Sequence, residues 1–200
     1  TSLERITVGD AAVLVELTDG ESTTAGLAHR PPGDPPTTTD WTVESLLDGV
    51  SADITAGGPG TRIVRALGIA TMNALSVPIV DWRAGDPMAL LSEDVERIVT
   101  VGLFAPAFRK LDGVEVNVIE REAIESVPDP DDVGVEVFTP DETDAAMAGA
   151  EVVFVTGSAF VYGGVEAYLD AAPTSATVVV IGATASFLPG PLFEAGVDVV

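Results

Sequence analysis

A turn of small, hydroxyl-bearing residues follows an apolar run and is the first place in this sequence where chemistry could occur. The run Val152–Val155 lacks alternation, which is typical of a strand buried on both faces of a parallel sheet. Thr156, Gly157 and Ser158 then stand where the carboxyl end of that strand opens into a loop. Open α/β sheets bind ligands at that edge, and hydroxyls supply hydrogen bonds there. The backbone N–H groups of the Gly157–Ser158 turn are predicted to hold anionic oxygens at the start of a helix. The alternative is a turn whose small residues serve packing alone.

Other predicted strand ends carry residues of the same kind. If the sheet is doubly wound, these ends converge on one crevice. Asn73 lies beside the apolar stripe of a predicted helix, and is either a satisfied buried amide or a residue that reaches into a cleft. We predict one ligand site lined by the following residues: Asn73, Gly102, Phe104, Glu120, Thr156, Gly157, Ser158, Gly182 and Thr184.

Glu120 has the spacing of a residue that binds ribose. It follows Gly102 by 18 residues, near the distance at which an acidic residue of dinucleotide-binding folds takes ribose hydroxyls. The Gly-x-Gly-x-x-Gly fingerprint is absent, because Phe104 and Pro106 follow Gly102. The alternative is that Glu120 is a solvated strand end paired with Arg121.

The charge of the chain is strongly acidic. There are 32 acidic residues against nine basic ones, for a net charge of −23, and the excess is spread over both halves of the chain. We interpret this as the surface of a protein from a halophilic source, because molar salt shortens the range of repulsion to about 3 Å. The alternative is an acidic patch for a basic partner. Nucleic acid is not an expected partner, since phosphate requires a basic surface.

The composition also limits catalysis and metal binding. There is no cysteine, which excludes a thiolate nucleophile and a cysteine-bound zinc ion. His29 is the only histidine, and no serine motif accompanies it to form a catalytic triad. Whether the protein is an enzyme stays open. A metal cofactor, if there is one, would be a hard cation held by carboxylates or a metal already complexed by a small organic ligand.

Neither a membrane span nor an export signal is visible in this sequence. No stretch approaches 18 uncharged apolar residues, and the first residues lack the features of a signal peptide. We therefore predict a cytoplasmic location without a membrane partner. The chain stops within an apolar run at Val197–Val200, so we expect the natural protein to be longer.

The order of elements predicts two domains. Two strands and the turn signal Asp19–Gly20 begin a three-stranded meander, which a proline-rich loop and two helices over 42–50 and 61–76 follow. Gly57–Gly60 is expected to be a flexible lead into the second helix. A strand over Ile98–Phe104 begins a second part of the chain in which strands alternate with helical stretches, and this indicates a parallel sheet. Asp141 is predicted to cap one of these helices, which continues through Ala148. We place an α+β domain at 1–92 and a parallel-sheet domain at 93–200.

Five motifs in this order resemble the DUF364 family, whose members are called "putative heavy-metal chelation" proteins and whose N-terminal part is the DUF4213 domain. The motifs are Ala66–Leu75, Val101–Phe104, Val118–Arg121, Val155–Ala159 and Gly182–Thr184. The resemblance implies an enolase N-terminal-like domain, then a Rossmann-like domain, with a ligand site between them.

These observations lead to one main functional hypothesis and two alternatives. We expect a protein that binds a small polar or anionic metabolite, or a metal complex, in the cleft between the two domains. The alternatives are a non-catalytic oligomeric scaffold, and a binder of NAD or S-adenosylmethionine that uses Glu120.

Overall fold

A computed structural model describes residues 1–37, 40–51, 59–90, 92, 94–103, 113–121 and 134–200. The chain divides into two compact units. Unit 1 comprises Thr1–Trp82 together with Phe160–Gly163 and Gly182–Gly190. Unit 2 comprises Arg83–Ala159, Gly164–Ile181 and Pro191–Val200. The predicted domain boundary after residue 92 stays a prediction.

Unit 1 begins with an antiparallel meander. Strands β1 (Ser2–Val8), β2 (Ala12–Thr18) and β3 (Thr23–His29) pair in chain order. The predicted turn at Asp19–Gly20 is confirmed: Asp19 Oδ1 accepts hydrogen bonds from the backbone N–H groups of Glu21 and Ser22, at 3.0 and 2.8 Å. Alternation along β2 buries Val13, Val15 and Leu17, so one face of the sheet forms a core surface.

Two helices follow the meander. Helix α1 (Val43–Asp48) begins with a capping box between Thr42 and Ser45 and continues into a 3₁₀ turn at Gly49–Ser51. Helix α2 (Pro59–Ser76) carries the predicted apolar stripe, whose members Ile63, Leu67, Ala70 and Ala74 are buried.

Helix α2 begins earlier than the sequence predicts. Pro59 and Gly60, expected to lead flexibly into the helix, are its first two residues, because proline has the backbone angle of a first helical turn. Gly57 and Gly58 lie outside the described residues.

Unit 2 contains a five-stranded sheet whose pairs are all parallel. The strands are β4 (Arg97–Val101), β5 (Glu115–Ile119), β6 (Gly134–Phe138), β7 (Val152–Thr156) and β8 (Thr177–Ile181). They lie in the order β6-β5-β4-β7-β8, so β5 and β6 lie on one side of β4, and β7 and β8 lie on its other side. Their apolar side chains, such as Ile98, Val118 and Phe154, form the core of the unit.

Four short helices complete the described part of the fold. They are α3 (Thr143–Met147), α4 (Ala159–Tyr162), α5 (Val165–Ala171) and α6 (Gly190–Glu194). The predicted fold class, an α+β part followed by a Rossmann-like parallel sheet, is confirmed. Within the described stretches of the chain, no helix is both long and apolar enough to cross a bilayer.

Two predicted boundaries are wrong for local reasons. The sequence predicts that β4 reaches Phe104, but the strand ends at Val101, because Gly102 adopts a φ of +86° that breaks it. Asp141 does not cap α3, the helix that precedes β7, because it lies within a 3₁₀ turn at Pro140–Glu142. Thr139 and Glu142 form the capping box of that turn, with Thr139 N and Oγ1 both 2.9 Å from Glu142 Oε2, whereas Glu142 makes no side-chain cap hydrogen bond to α3.

Candidate functional site

The carboxyl edge of the parallel sheet brings together most of the predicted site residues. Gly102 follows β4, Glu120 follows β5, Thr156 ends β7, and Gly157 and Ser158 come directly after it. Because these three strands are neighbours and parallel, their ends lie at one edge of the sheet. Phe104, also predicted for this edge, lies outside the described residues.

Gly102 and Thr156 lie at the point where the strand order reverses. The chain passes from β4 to β5 and β6 on one side, and β7 then pairs with the opposite side of β4. Open α/β sheets bind ligands outside the carboxyl ends of the strands at such a point. The sheet therefore places these two residues at the position where a ligand is expected.

The reversal point requires a glycine. A Cβ added at Gly102 would overlap Thr156 Oγ1, and the φ of +86° is strained for any other residue. Thr156 Oγ1 donates a hydrogen bond to Val101 O at 2.9 Å and lies 3.0 Å from Ser158 Oγ. The hydroxyls of Thr156 and Ser158 thus form a hydrogen-bonded pair beside the backbone of Gly102, which has no side chain to cover it.

Glu120 is fixed by backbone donors. Its Oε2 accepts a hydrogen bond from Leu103 N at 3.0 Å, and its Oε1 accepts one from Arg121 N at 2.8 Å. The carboxylate therefore bridges the segments that follow β4 and β5, and each oxygen retains a further lone pair for a ligand. The pairing of Glu120 with Arg121 that the sequence suggested thus includes a bond from the backbone nitrogen of Arg121.

One detail of the predicted chemistry is wrong. The Gly157 N–H, expected to hold an anionic oxygen, donates to Ile181 O at 2.7 Å and extends the pairing of β7 with β8. Helix α4, which follows, is only four residues long. The described residues around Gly102 thus offer the hydroxyls of Thr156 and Ser158 and the carboxylate of Glu120.

The other predicted residues belong to unit 1. Asn73 is 2% exposed, and its Nδ2 group donates to the carbonyl oxygens of Leu27, Ala183 and Thr184 at 2.6, 3.1 and 3.0 Å. This favours the interpretation of Asn73 as a buried amide, although only its nitrogen is satisfied, because Oδ1 is buried with no hydrogen-bond partner among the described residues. Thr184 is also buried, and its Oγ1 accepts from His29 N at 2.9 Å. Gly182 has a φ of +112° and begins the turn that places Thr184.

A cluster around Tyr162 in unit 1 was not predicted. His29 Nε2 lies 3.1 Å from Tyr162 Oη, and the guanidinium carbon of Arg62 lies 5.8 Å from the centre of the tyrosine ring. Arg65 Nε donates to Phe160 O at 2.8 Å. The signal in the sequence was the pair Arg62 and Arg65 at helical spacing, in a chain with few basic residues.

Burial lowers the pKa of His29, which predicts a pH effect on stability. The contribution of neutral His29 to the free energy of unfolding is fully present above about pH 6.5. It is lost as the pH falls from there through the lowered pKa of His29 in the folded protein. We expect the free energy of unfolding, measured with urea in 2 M KCl, to fall between pH 7.5 and 5.5 in the natural protein. The fall should be smaller in His29→Gln, and equal falls would contradict this role of His29.

The described part of the structure has two concave surfaces with other lining residues. One, of about 460 Å³, is lined by β1 residues together with Pro35, Trp41 and Leu67. The other, of about 490 Å³, lies beside β5 and β6 and includes Arg97 and Glu115, which form an ion pair. Neither is lined by the predicted site residues.

The protein has two compact units, and the strand order of the second defines a Rossmann-like parallel sheet. Sheets of this kind bind ligands at the carboxyl ends of their strands. The chain belongs to the DUF364 family, described as "Putative heavy-metal chelation", whose model matches residues 86–200. No curated protein matches the sequence.

Two solved DUF364 structures of unknown function resemble the fold. The first, from Pyrococcus horikoshii, has 22% identity and a TM-score of 0.75, over 99% of this chain and 78% of its own. The second, from Desulfitobacterium hafniense, has 14% identity and a TM-score of 0.67, over 98% of this chain and 77% of its own.

The residues present do not fit a thiophilic heavy metal. Glu120, Thr156 and Ser158 offer only oxygen, whereas soft metals select thiolate and imidazole. The sequence has no cysteine and a single histidine. Among the described residues, no group of three or more histidine, aspartate or glutamate side chains could hold a metal ion.

Proposed function

We propose that the protein binds a small polar metabolite at the carboxyl edge of its parallel sheet, around Gly102. One observation carries the proposal: oxygen-bearing side chains from two strands, β5 and β7, flank glycine backbone at the reversal point of the sheet.

The chemistry of this edge favours a ligand that donates hydrogen bonds. The Glu120 carboxylate only accepts, while the hydroxyls of Thr156 and Ser158 both donate and accept. A ligand rich in hydroxyl or amine groups suits these partners. A hard cation, or a metal already bound by a small organic ligand, also suits oxygen donors.

The proposal is tested by removing one hydroxyl. We expect Thr156→Val to weaken ligand binding about tenfold, with a loss of about 1 kcal/mol of stability from the bond to Val101 O. Native mass spectrometry of protein purified in molar salt would identify what copurifies. Thermal shifts with ribose, glucose and spermidine, which carry hydroxyl or amine donors and no anionic group, would then measure affinity.

The matched control is Thr177→Val, which makes the same change at the start of β8, on the opposite edge of the sheet. It should leave binding unchanged. If neither copurification nor any thermal shift reveals a ligand, the proposal is wrong and the non-catalytic scaffold becomes the better hypothesis.

A nucleotide is the second candidate, since Glu120 ends the strand next to β4, the position of the ribose-binding acid in dinucleotide folds. If so, equilibrium dialysis should detect uptake of NAD or S-adenosylmethionine at millimolar concentration, and Glu120→Gln should weaken it about tenfold or more. No uptake by the natural protein would exclude this candidate.

The resemblance of the whole chain to DUF364 folds supports an assignment of its N-terminal part. We propose that residues 1–92, with their meander and α2, form a DUF4213-type domain.

We also propose that the protein functions in a salt-rich cytoplasm, as its net charge of −23 suggests.

A further inference from the structure

Basic side chains near the start of α2 are unusual for so acidic a protein. The chain has only nine basic residues, and Arg62 and Arg65 stand three apart in the first two turns of α2, on neighbouring positions of its surface. Among the described residues, ion pairs join Arg5 to Glu16 and Arg97 to Glu115, and none involves Arg62 or Arg65. These two guanidinium groups therefore lack a carboxylate partner within the described chain, despite a threefold excess of acids.

Their position on the helix adds to the local positive potential. The N-terminus of a helix carries a partial positive charge, which acidic residues normally offset. The first turn of α2, an 18-residue helix, contains no acidic residue. Cations at this end reduce helix stability unless an anion binds nearby.

Arg62 is held in place yet incompletely satisfied. Its Nε is buried and has no hydrogen-bond partner, although its guanidinium carbon lies 5.8 Å from the Tyr162 ring centre. Buried guanidinium N–H groups in proteins are normally hydrogen-bonded, so the unpaired Nε of Arg62 is a donor that a ligand could use. The Nε of Arg30, directly after His29 in the chain, is also buried without a partner.

The surroundings fix the geometry of the two arginines. Arg65 Nε donates a hydrogen bond to Phe160 O at 2.8 Å, which anchors the side chain. The two terminal NH₂ groups of Arg65 remain as donors. Tyr162 is in turn fixed by His29, whose Nε2 lies 3.1 Å from the tyrosine oxygen. All of these residues belong to unit 1, so the cluster is complete within one compact unit.

We propose that Arg62 and Arg65, positioned by Tyr162 and Phe160, bind the oxyanion of a small molecule, as a carboxylate or a phosphate group. Guanidinium groups match both anions through paired N–H donors. The net charge of −23 opposes polyanions such as nucleic acid, which leaves a small ligand. This inference is independent of the proposed function, because it rests on residues of unit 1 alone.

The test measures anion binding by the full chain at constant ionic strength, adjusted with KCl, at pH 7.5. Potassium phosphate and potassium succinate, each from 0 to 50 mM, serve as probes in thermal shift and calorimetric titrations. We expect at least one probe to raise the melting temperature saturably. A response to phosphate alone indicates a phosphorylated ligand, and a response to succinate alone indicates a carboxylate.

Arg62→Gln and Arg65→Gln should each weaken binding about tenfold or more, as expected for loss of a charge-assisted hydrogen-bonding group. Arg97→Gln is the matched control, since it removes the same charge from an arginine paired with Glu115, and should bind like the natural protein.

A second readout separates binding from structural support. Arg62→Lys keeps the net charge but lacks the paired N–H donors of a guanidinium, so it should bind the anion more weakly than the natural protein while remaining folded without anion. The inference is overturned if neither probe binds at 50 mM, if the glutamine variants bind as tightly as Arg97→Gln, or if Arg62→Lys binds as tightly as the natural protein.

Discussion

Raising KCl from 0.1 M to 2 M should increase the melting temperature by about 10 °C, which corresponds to roughly 3–5 kcal/mol for a chain of this size. A net charge of −23 on 200 residues creates repulsion across the whole folded protein at low salt. The screening length is about 10 Å at 0.1 M ionic strength and about 3 Å at 1 M, so only near neighbours still repel in molar salt. Scanning calorimetry at several KCl concentrations checks the prediction.

Two single substitutions make the salt test specific. Asp170 is exposed in the last turn of α5, where the helix end is itself negative, and lies four residues after Glu166. Asp170→Asn should therefore raise the melting temperature in 0.1 M KCl and change it little in 2 M. Glu16→Gln should lower it, because Glu16 pairs with Arg5.

A melting temperature that stays constant over the KCl range would refute the halophilic interpretation. The acidic surface would then be better explained by a basic partner.

Acidification should partly replace salt, down to a limit. Lowering the pH toward 5 in low salt protonates the most crowded carboxylates and reduces repulsion. The hydrogen bond from Arg5 lowers the pKa of Glu16, and backbone N–H groups lower the pKa values of Asp19, Glu142 and Glu151. The stability these four carboxylates contribute is present above about pH 4.5 and is lost as the pH falls through their lowered pKa values. A stability maximum near pH 5 in low salt is therefore expected.

Gly26→Ala should destabilise unit 1 by about 3 kcal/mol or more, as forced overpacking of a core does. A Cβ added at Gly26 would overlap the backbone atoms Ala70 O and Ala74 N of α2, and would lie 2.8 Å from Asn73 Cβ. Backbone cannot rotate aside as a side chain can, so α2 must move away from β3. In a chain of this size, the melting temperature should fall by roughly 6–12 °C in 2 M KCl.

Gly60→Ala is the control for this packing effect. Gly60 lies in the same helix, and no atom of the described residues stands within 4 Å of an added Cβ. Alanine should therefore leave stability unchanged or raise it slightly, by up to about 1 kcal/mol. Similar melting temperatures for Gly26→Ala and Gly60→Ala would contradict the close approach of β3 to α2.

Local sequence determined the elements and the candidate edge around Gly102. Alternation in β2, the Asp19–Gly20 turn and the stripe of α2 each arise from residues within a few positions of one another. The same holds for the apolar strands of unit 2, whose ends carry Gly102, Glu120 and Thr156 because the chain must turn there. Parallel pairing then follows from the alternation of strands and helices.

Only the tertiary structure decided how distant segments use their polar groups. The sequence could not assign Asn73 to three carbonyl groups, two of them about 110 residues away, nor the Gly157 N–H to Ile181 O. His29 contacts Tyr162, which is 133 residues away in the sequence, and the ring of Tyr162 lies beside Arg62. Hydrogen bonds and ring contacts act over a few ångströms, so they depend on which segments the fold brings into contact. Charge composition, by contrast, acts through long-range repulsion and could be judged from the sequence alone.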